Sequence, residues 1–478
     1  MKKQTLLFYA ILIYTGSLAQ VLNHYYGNLH AHTGFSDGNK DSSVSGVSNP
    51  SGSYAFAKLS QNFDFLGISE HNHYSSAGNP GFKLPRYQDG LNMAAASNQE
   101  GQFVCLFGME WGVSSSYNGH VLVYGVNQLM GWEIGIPGVG TNYSIFNAKS
   151  DYDGLFKKVK NISGAFCYLA HPYVTDFSTG ASAATALAYS PYNAAYDSAI
   201  IGLPLRSGLA FSTSQNYDDY SFGNYFDYFK RLLYVGYHLG IGYDHDNHYT
   251  NFGRSNGGRL VVMAPSLSRQ DIMDAMRSMR FYGSDDPNAE LHFTLENNPM
   301  GSICSGSVYP SISVQHIDRD GELADSIKIW RGYKNDPSGQ YAQVVHIQRQ
   351  SDITQWTDYG IQSGIEYYYF TEVKQNDGQW IAGSPIWYKA SAPVTIAEST
   401  NTGPKLLYRN DVSRATLCAP AEDFFNYSLY ALDGRCLVKG QAQGQVTINL
   451  HALETGVYWI LFKQHTITKT FPLVITNP

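Results

Sequence analysis

The chain has 478 residues and a net charge of −7, with 15% charged residues against 43% hydrophobic ones. That balance offers no basic stripe for nucleic acid, so no nucleic-acid partner is expected. The 37 tyrosines and 46 glycines fit a β-rich, loop-rich chain kept soluble by neutral polar groups, and the length is enough for about three domains.

Residues 1–19 read as a secretory signal peptide. Lys2 and Lys3 give a basic start, Leu6 to Tyr14 an almost unbroken apolar core, and Ser17-Leu18-Ala19 a small-x-small cleavage site. The apolar core is about half of the roughly 20 residues that a membrane-spanning helix needs, so no transmembrane segment is expected after cleavage. The mature protein is therefore expected to be secreted or held at the cell surface.

From residue 20 to 298, short apolar runs end in polar clusters: "YYGNLHAH", "FDFLGISEH", "FVCLFGMEW", "HVLVYGV", "GAFCYLAHP", "SAIIGLPL" and "LGIGYDHDNH". Uninterrupted apolar runs fit strands buried on both faces, as in parallel sheets and α/β barrels, which keep their chemistry at strand ends. Helical patterns cover 152–162 and 268–280, the second capped by Ser268 with Asp271 in its first turn. Residues 299–393 alternate or are aromatic and β-branched, as expected of an immunoglobulin-like or fibronectin-like β-sandwich. A linker rich in Ser, Thr and Pro spans 394–404. Residues 405–478 return to short strands around the turn signal Asp433-Gly434, predicting a small β-sandwich.

The five cysteines do not form a disulfide framework. Cys105 and Cys167 lie in apolar runs and read as reduced core residues, whereas Cys418 and Cys436 flank one hairpin region and leave pairing open.

Ten of the fifteen histidines fall between His24 and His248, most of them at the ends of the apolar runs. Imidazoles and carboxylates gathered this way bind Zn, Mn or Fe at neutral pH. On a strand, His30 and His32 are two apart and point to one face, while Asp37 in the following loop can fold back towards them. His71 and His171 end later runs, Glu110 lies near the end of another, His120 starts one, and Asp246 and His248 repeat the two-apart spacing.

With these segments in order, the region resembles the PHP (polymerase and histidinol phosphatase) superfamily, and more narrowly its CehA/McbA-type metallohydrolases. "NLHAHTGFSDG", "FLGISEHNH", "GMEW", "GHVLVYG", "YLAHPY" and "YDHDNH" carry the resemblance. It implies a distorted (β/α)7 barrel and a cluster of two or three divalent ions held by His30, His32, Asp37, His71, Glu110, His120, His171, Asp246 and His248, with Glu110 as the bridging glutamate. One departure is Ser69-Glu70-His71, where the family usually has Thr-Asp-His; its acid is normally a supporting residue. His73 and His245 are extra, expected near the ligands or facing solvent, with His73 a candidate proton donor. The C-terminal segments "LYALDGRCLVKG" and "INLHALETGVYWI" followed by Lys469 resemble the sorting domain of the type IX secretion system, which implies that machinery as a partner.

A metal cluster of this kind points to hydrolysis of an ester substrate, small or polymer-derived, and phosphate esters suit it best. Carbamate or other carboxyl esters are the alternative bond, and a non-catalytic, metal-stabilised surface protein the alternative class. Arg206, at the end of the sixth run, is the expected substrate-binding cation, with Arg254 second. Irregular loops at 127–150 and 175–195 are expected to set specificity.

Overall fold

The computed structural model describes residues 21–74, 81–218, 223–306, 309–390, 404–408, 414–419, 424–450, 453–454, 456–465 and 467–475. The expected signal peptide and all of the linker but Pro404 lie outside them. The chain divides into two compact units, Met1–Pro393 and Val394–Pro478.

The first unit is mixed α/β around one large sheet. In chain order come β1 (Asn23–Asn28), α1 (Ser42–Ser45), α2 (Pro50–Ala57), β2 (Phe65–His71), α3 (Leu84–Ser97), β3 (Val104–Trp111) and β4 (Val121–Tyr124). A short parallel pair, β5 (Met130–Gly131) and β6 (Ile145–Phe146), precedes α4 (Tyr152–Val159), β7 (Phe166–Leu169), α5 (Ala194–Asp197) and β8 (Ile200–Ser207). Then follow α6 (Phe226–Val235), β9 (Gly240–Asp244), β10 (Arg259–Ala264), α7 (Arg269–Arg277), β11 (Phe281–Ser284) and β12 (Glu290–Leu295).

All seven apolar runs contain strands, and these lie side by side in the order β1-β2-β3-β4-β7-β8-β9. Apolar side chains fill both faces. Leu66, Ile68 and Cys105 enter one core, while Phe65, Val104 and Leu106 enter another on the opposite side. The row is not wholly parallel. β4 runs antiparallel to both β3 and β7, because only a short loop separates it from β3 and no crossover helix can fit. Beyond the strands the two ends of the row meet, with Ala31 bridging Asn247 and His32 N donating to Asn247 O at 2.8 Å. β9 also approaches β11 so closely that a Cβ at Gly283 would lie 2.2 Å from Gly242 O, which excludes any side chain there.

The helices pack on this row. Ser268 Oγ accepts from Asp271 N at 3.0 Å and caps α7, as its sequence predicts. α3 and α6 have no counterpart in the sequence expectations. Their apolar faces are narrow and interrupted by Asn, Gln or Lys, and packing decides them: in α6, Phe226, Phe229, Leu232 and Leu233 are buried.

On the other side of β1 the sheet continues through β10 and β11 into Trp380–Gly383, all antiparallel. β12 pairs with Ser311–Ile317, and its alternate residues Leu291, Phe293 and Leu295 enter a core shared with Ile312, Val314, Ile327 and Val373. A boundary at 298/299 therefore separates β12 from its partner strand; β12 follows the period-2 pattern of the segments after it, not that of the runs before it.

In the second unit, Lys405–Tyr408, Arg414–Cys418 and Gln445–Asn449 form one sheet. Cys436–Gln443, Phe424–Ala431, Gly456–Gln464 and Ile467–Ile475 form another. Leu417, Phe425, Leu429, Ile448, Ile460 and Leu473 belong to a common core. Gly434, at φ +85°, closes the tight turn expected at Asp433-Gly434. Cys436 is a free thiol, and the Cys418 side chain lies outside the described residues. Among the described residues no helix is long and apolar enough to cross a membrane.

Candidate metal centre

The residues after β1 are held by two buried polar anchors. Asn28 Oδ1 accepts from His30 N and His245 N, both at 3.1 Å, and its amide donates to His30 O at 2.7 Å, tying the end of β1 to the end of β9. Glu70, fully buried, accepts from Thr33 N at 3.1 Å, from Ser36 N at 3.2 Å and from both hydroxyls. The acid of the Ser69-Glu70-His71 segment thus stays out of the cluster and fixes the loop that carries Asp37.

Glu110, at the end of β3, is the centre of the site. Its Oε1 lies 3.1 Å from His30 Nε2, 2.9 Å from His120 Nδ1 and 3.2 Å from His171 Nε2; its Oε2 lies 3.3 Å from His32 Nε2 and 3.1 Å from His71 Nδ1. Asp246 Oδ1 is 3.1 Å from His30 Nε2 and 3.2 Å from His32 Nε2, and Asp37 Oδ1 is 3.3 Å from His248 Nε2 and 3.6 Å from His71 Nε2. The nine side chains of the sequence-derived ligand set therefore meet at one place. Two hold left-handed backbone, His171 at φ 29° and Asp246 at φ 53°, a strain that aims each side chain at the strand ends.

Several buried atoms in this cluster make no hydrogen bond: His30 Nε2, both ring nitrogens of His32, Asp37 Oδ1, His71 Nδ1, Glu110 Oε2 and Asp246 Oδ1. Each such atom costs about 1–3 kcal/mol if nothing meets it. Four groups present ligand atoms within 4.8 Å of one another: His32/Asp37/His71/His248, His30/His171/Asp246, His30/His32/Glu110 and His71/Glu110/His120. Separations near 3 Å suit ligands that share an ion at bond lengths of about 2.0–2.2 Å. The residues present fit divalent cations.

The electrostatics agree. Burial alone would depress the His30 pKa, but the Asp246 and Glu110 carboxylates raise it well above the usual value; His32, against the same opposing burial, is pushed up to about 10 by the same two groups. Burial opposes ionisation of Glu110 and Asp246, yet the surrounding histidines hold both well below the carboxylate range. The carboxylates thus favour positive charge at His30 and His32, whereas burial lowers the pKa of His71 well below its usual value.

Other expected residues sit elsewhere. Arg206 does not join the cluster contacts: its Nε pairs with Asp285 Oδ1 at 3.0 Å and its guanidinium stacks 5.0 Å from the Trp380 ring, because the residue that follows β11 is an acid within its reach. Arg254 bonds Ser60 Oγ and Leu59 O and covers Phe56. His245 neither faces solvent nor supports a ligand. It is fully buried against Phe63 with Nε2 on Gly258 O at 2.7 Å, since one step along the strand from Asp244 reverses the side chain. His73 is near the cluster, 5.6 Å from the His71 ring and stacked on Trp132; burial lowers its pKa, which disfavours a proton-donor role.

Three features escaped the sequence. Asp244 Oδ2 lies 3.4 Å from His30 Nδ1 and orients that ring; its place two residues before Asp246 was the available signal. Lys40 Nζ stands 3.8 Å from Asp37 Oδ2 and 5.4 Å from the exposed Phe211 ring, which leans on His248. A cavity of about 500 Å³ reaches the cluster at His171, walled by the 114–119 loop, Tyr173, Thr175 and Asp176, the last two from the start of the expected 175–195 loop.

No protein-family model matches the chain, and no curated protein does. Among solved structures, a two-domain protein from Bacteroides vulgatus containing a predicted PHP-like metal-dependent phosphoesterase aligns with 77% of this chain and 95% of its own, at 12% identity and a TM-score of 0.35. The FN1–FN3 domains of chicken CNTN1 align with 39% of this chain and 66% of theirs, at 8% identity and a TM-score of 0.17. T. fusca AA10A aligns with 26% and 61%, at 15% identity and a TM-score of 0.15. Likenesses this slight add nothing to the functional argument, which rests on the cluster itself.

Proposed function

We propose that the protein is a metal-dependent hydrolase of the PHP superfamily, most simply a phosphoesterase, holding two or three Zn, Mn or Fe ions around Glu110. The convergence of six histidines and three carboxylates on one buried point carries this reading. Divalent ions bound there would lower the pKa of a bound water towards about 7 and would polarise the oxygens of the ester.

The chain's own residues do the positioning. Glu110 presents each oxygen to a different group of histidines, Asp244 receives the Nδ1 proton of His30 and leaves Nε2 free, and Glu70 anchors the Asp37 loop. Lys40 supplies the cation that Arg206 does not, and it favours an anionic ester over a carbamate or neutral carboxyl ester. The cavity at His171 favours a substrate over a purely structural metal, because structural sites are closed.

The test is metal analysis of the purified protein together with activity on phosphomonoesters, phosphodiesters and carboxyl esters. A metal-loaded protein inactive on all three overturns the reading. Lys40→Met is expected to raise KM for the phosphoester about tenfold, or about 1.4 kcal/mol; an equal loss on a neutral ester would remove Lys40 from substrate binding.

We further propose export by the residue 1–19 segment and delivery to the surface by type IX secretion, supported by the "LYALDGRCLVKG" and "INLHALETGVYWI" segments. N-terminal sequencing of the native protein should begin at Gln20, and an intact Met1 on the extracellular protein would reject the signal assignment.

A further inference from the structure

Three side chains outside the Glu110 cluster converge where the start of β1 approaches β12: His24, Glu290 and His292, with ligand atoms within 4.8 Å of one another. Glu290 and His292 are two apart on β12, so they share the face opposite Leu291 and Phe293, which enter the core. The His24 and His292 ring centroids are 4.6 Å apart, and His292 Nε2 is 3.5 Å from Glu290 Oε2.

Two of the three donors are oriented from behind. Tyr282 OH gives its proton to Ala289 O at 2.9 Å and accepts from Leu291 N at 3.1 Å. A phenol has one proton, so the 2.9 Å contact between Tyr282 OH and His24 Nδ1 must be donated by the histidine. That fixes the Nδ1–H tautomer and leaves the lone pair on Nε2 for a metal. Burial, aided by His292, lowers the His24 pKa to about 4, so the ring is in its neutral, ligating form at pH 7. Arg319 Nη2 donates to Glu290 Oε1 at 2.8 Å, which leaves Oε2 facing His292.

We propose that His24, Glu290 and His292 form a second metal site, separate from the Glu110 cluster, that takes a divalent ion preferring imidazole, such as zinc or copper(II), and clasps β1 to β12. Arg319 offsets the Glu290 charge, so the donor set is two imidazoles and one partly neutralised carboxylate. Calcium and magnesium, which require several oxygen ligands, are disfavoured there. His24 begins the strand whose continuation carries His30 and His32, so the clasp steadies the strand that feeds the main cluster.

The test strips the full-length protein with a chelator and titrates it with zinc against a chromophoric chelator, beside His24→Gln and His292→Gln. Each variant is expected to bind one zinc fewer per chain than the parent while keeping the zinc of the Glu110 cluster, and to lose part of the zinc-dependent rise in melting temperature. Equal stoichiometry in the parent and in both variants overturns the site. The His292 side chain is 42% exposed, so His292→Gln decides the matter if His24→Gln does not fold.

Discussion

Around Glu110, several buried histidine and carboxylate atoms stand about 3 Å from one another with no hydrogen-bond partner, whereas in the second unit the described buried side chains are apolar apart from Gln464. Apolar burial stabilises by about 25 cal/mol per Å² whatever the solution contains. Buried polar atoms without partners cost free energy until an ion or proton meets them. The described core of the second unit thus needs no added ion, while the cluster offers buried donors that cations would satisfy. A region that buries polarity at a cost its neighbour avoids is where function should be sought.

The contrast breaks most severely with Glu110→Ala. Removing both central oxygens is expected to lower turnover by about 10³-fold or more, the scale seen when a preorganised electrostatic group is lost. Metal content should fall as well, and elemental analysis with steady-state kinetics checks both; unchanged metal stoichiometry would reject Glu110 as a ligand. Asp244→Asn, which touches no ion directly, should cost about 10–100-fold in metal affinity or activity. A wild-type value would mean that His30 needs no support.

The pH dependence of the metal-free protein sharpens the same contrast. Against the opposing effect of burial, Asp246 and Glu110 push the folded-state pKa of His32 up to about 10, above the value of about 6.5 for an exposed histidine. The stabilisation from its charged form is therefore fully present below pH ~6.5 and lost as pH rises through ~10. Melting of chelated protein between those values should drop by several degrees more than that of the metal-loaded form, whose cations replace the proton. Parallel curves would show that protons and metal do not share these sites. At the other end of the scale, Leu429→Ala in the second unit should cost that unit about 2–5 kcal/mol while leaving metal content and turnover unchanged.

Much of the site was legible because most of the candidate ligands sit beside the end of a recognisable apolar run. His30 and His32 follow β1, His71 and Glu110 lie in the last two residues of β2 and β3, and Asp246 and His248 follow β9. The period-2 alternation was legible too, yet the pairing of β12 with Ser311–Ile317 was not, because the two strands lie on opposite sides of Pro299 in the chain. Arg206 misled because its strand-end position matched the pattern, while Asp285, which takes its charge, follows another strand, β11.

By itself the sequence determined the chemical identity and chain order of the candidate metal ligands, and the strands that deliver them, since hydrophobic runs and their terminal polar residues are local properties. Only the tertiary structure decided that Glu110 stands at the centre, that Asp244 orients a ring 214 residues away, and that Lys40 rather than Arg206 is the cation beside the cluster. Those assignments depend on which side chains meet across different strands, and a distance of 3 Å between atoms so far apart in the chain exists only once the row of strands has brought its two ends together.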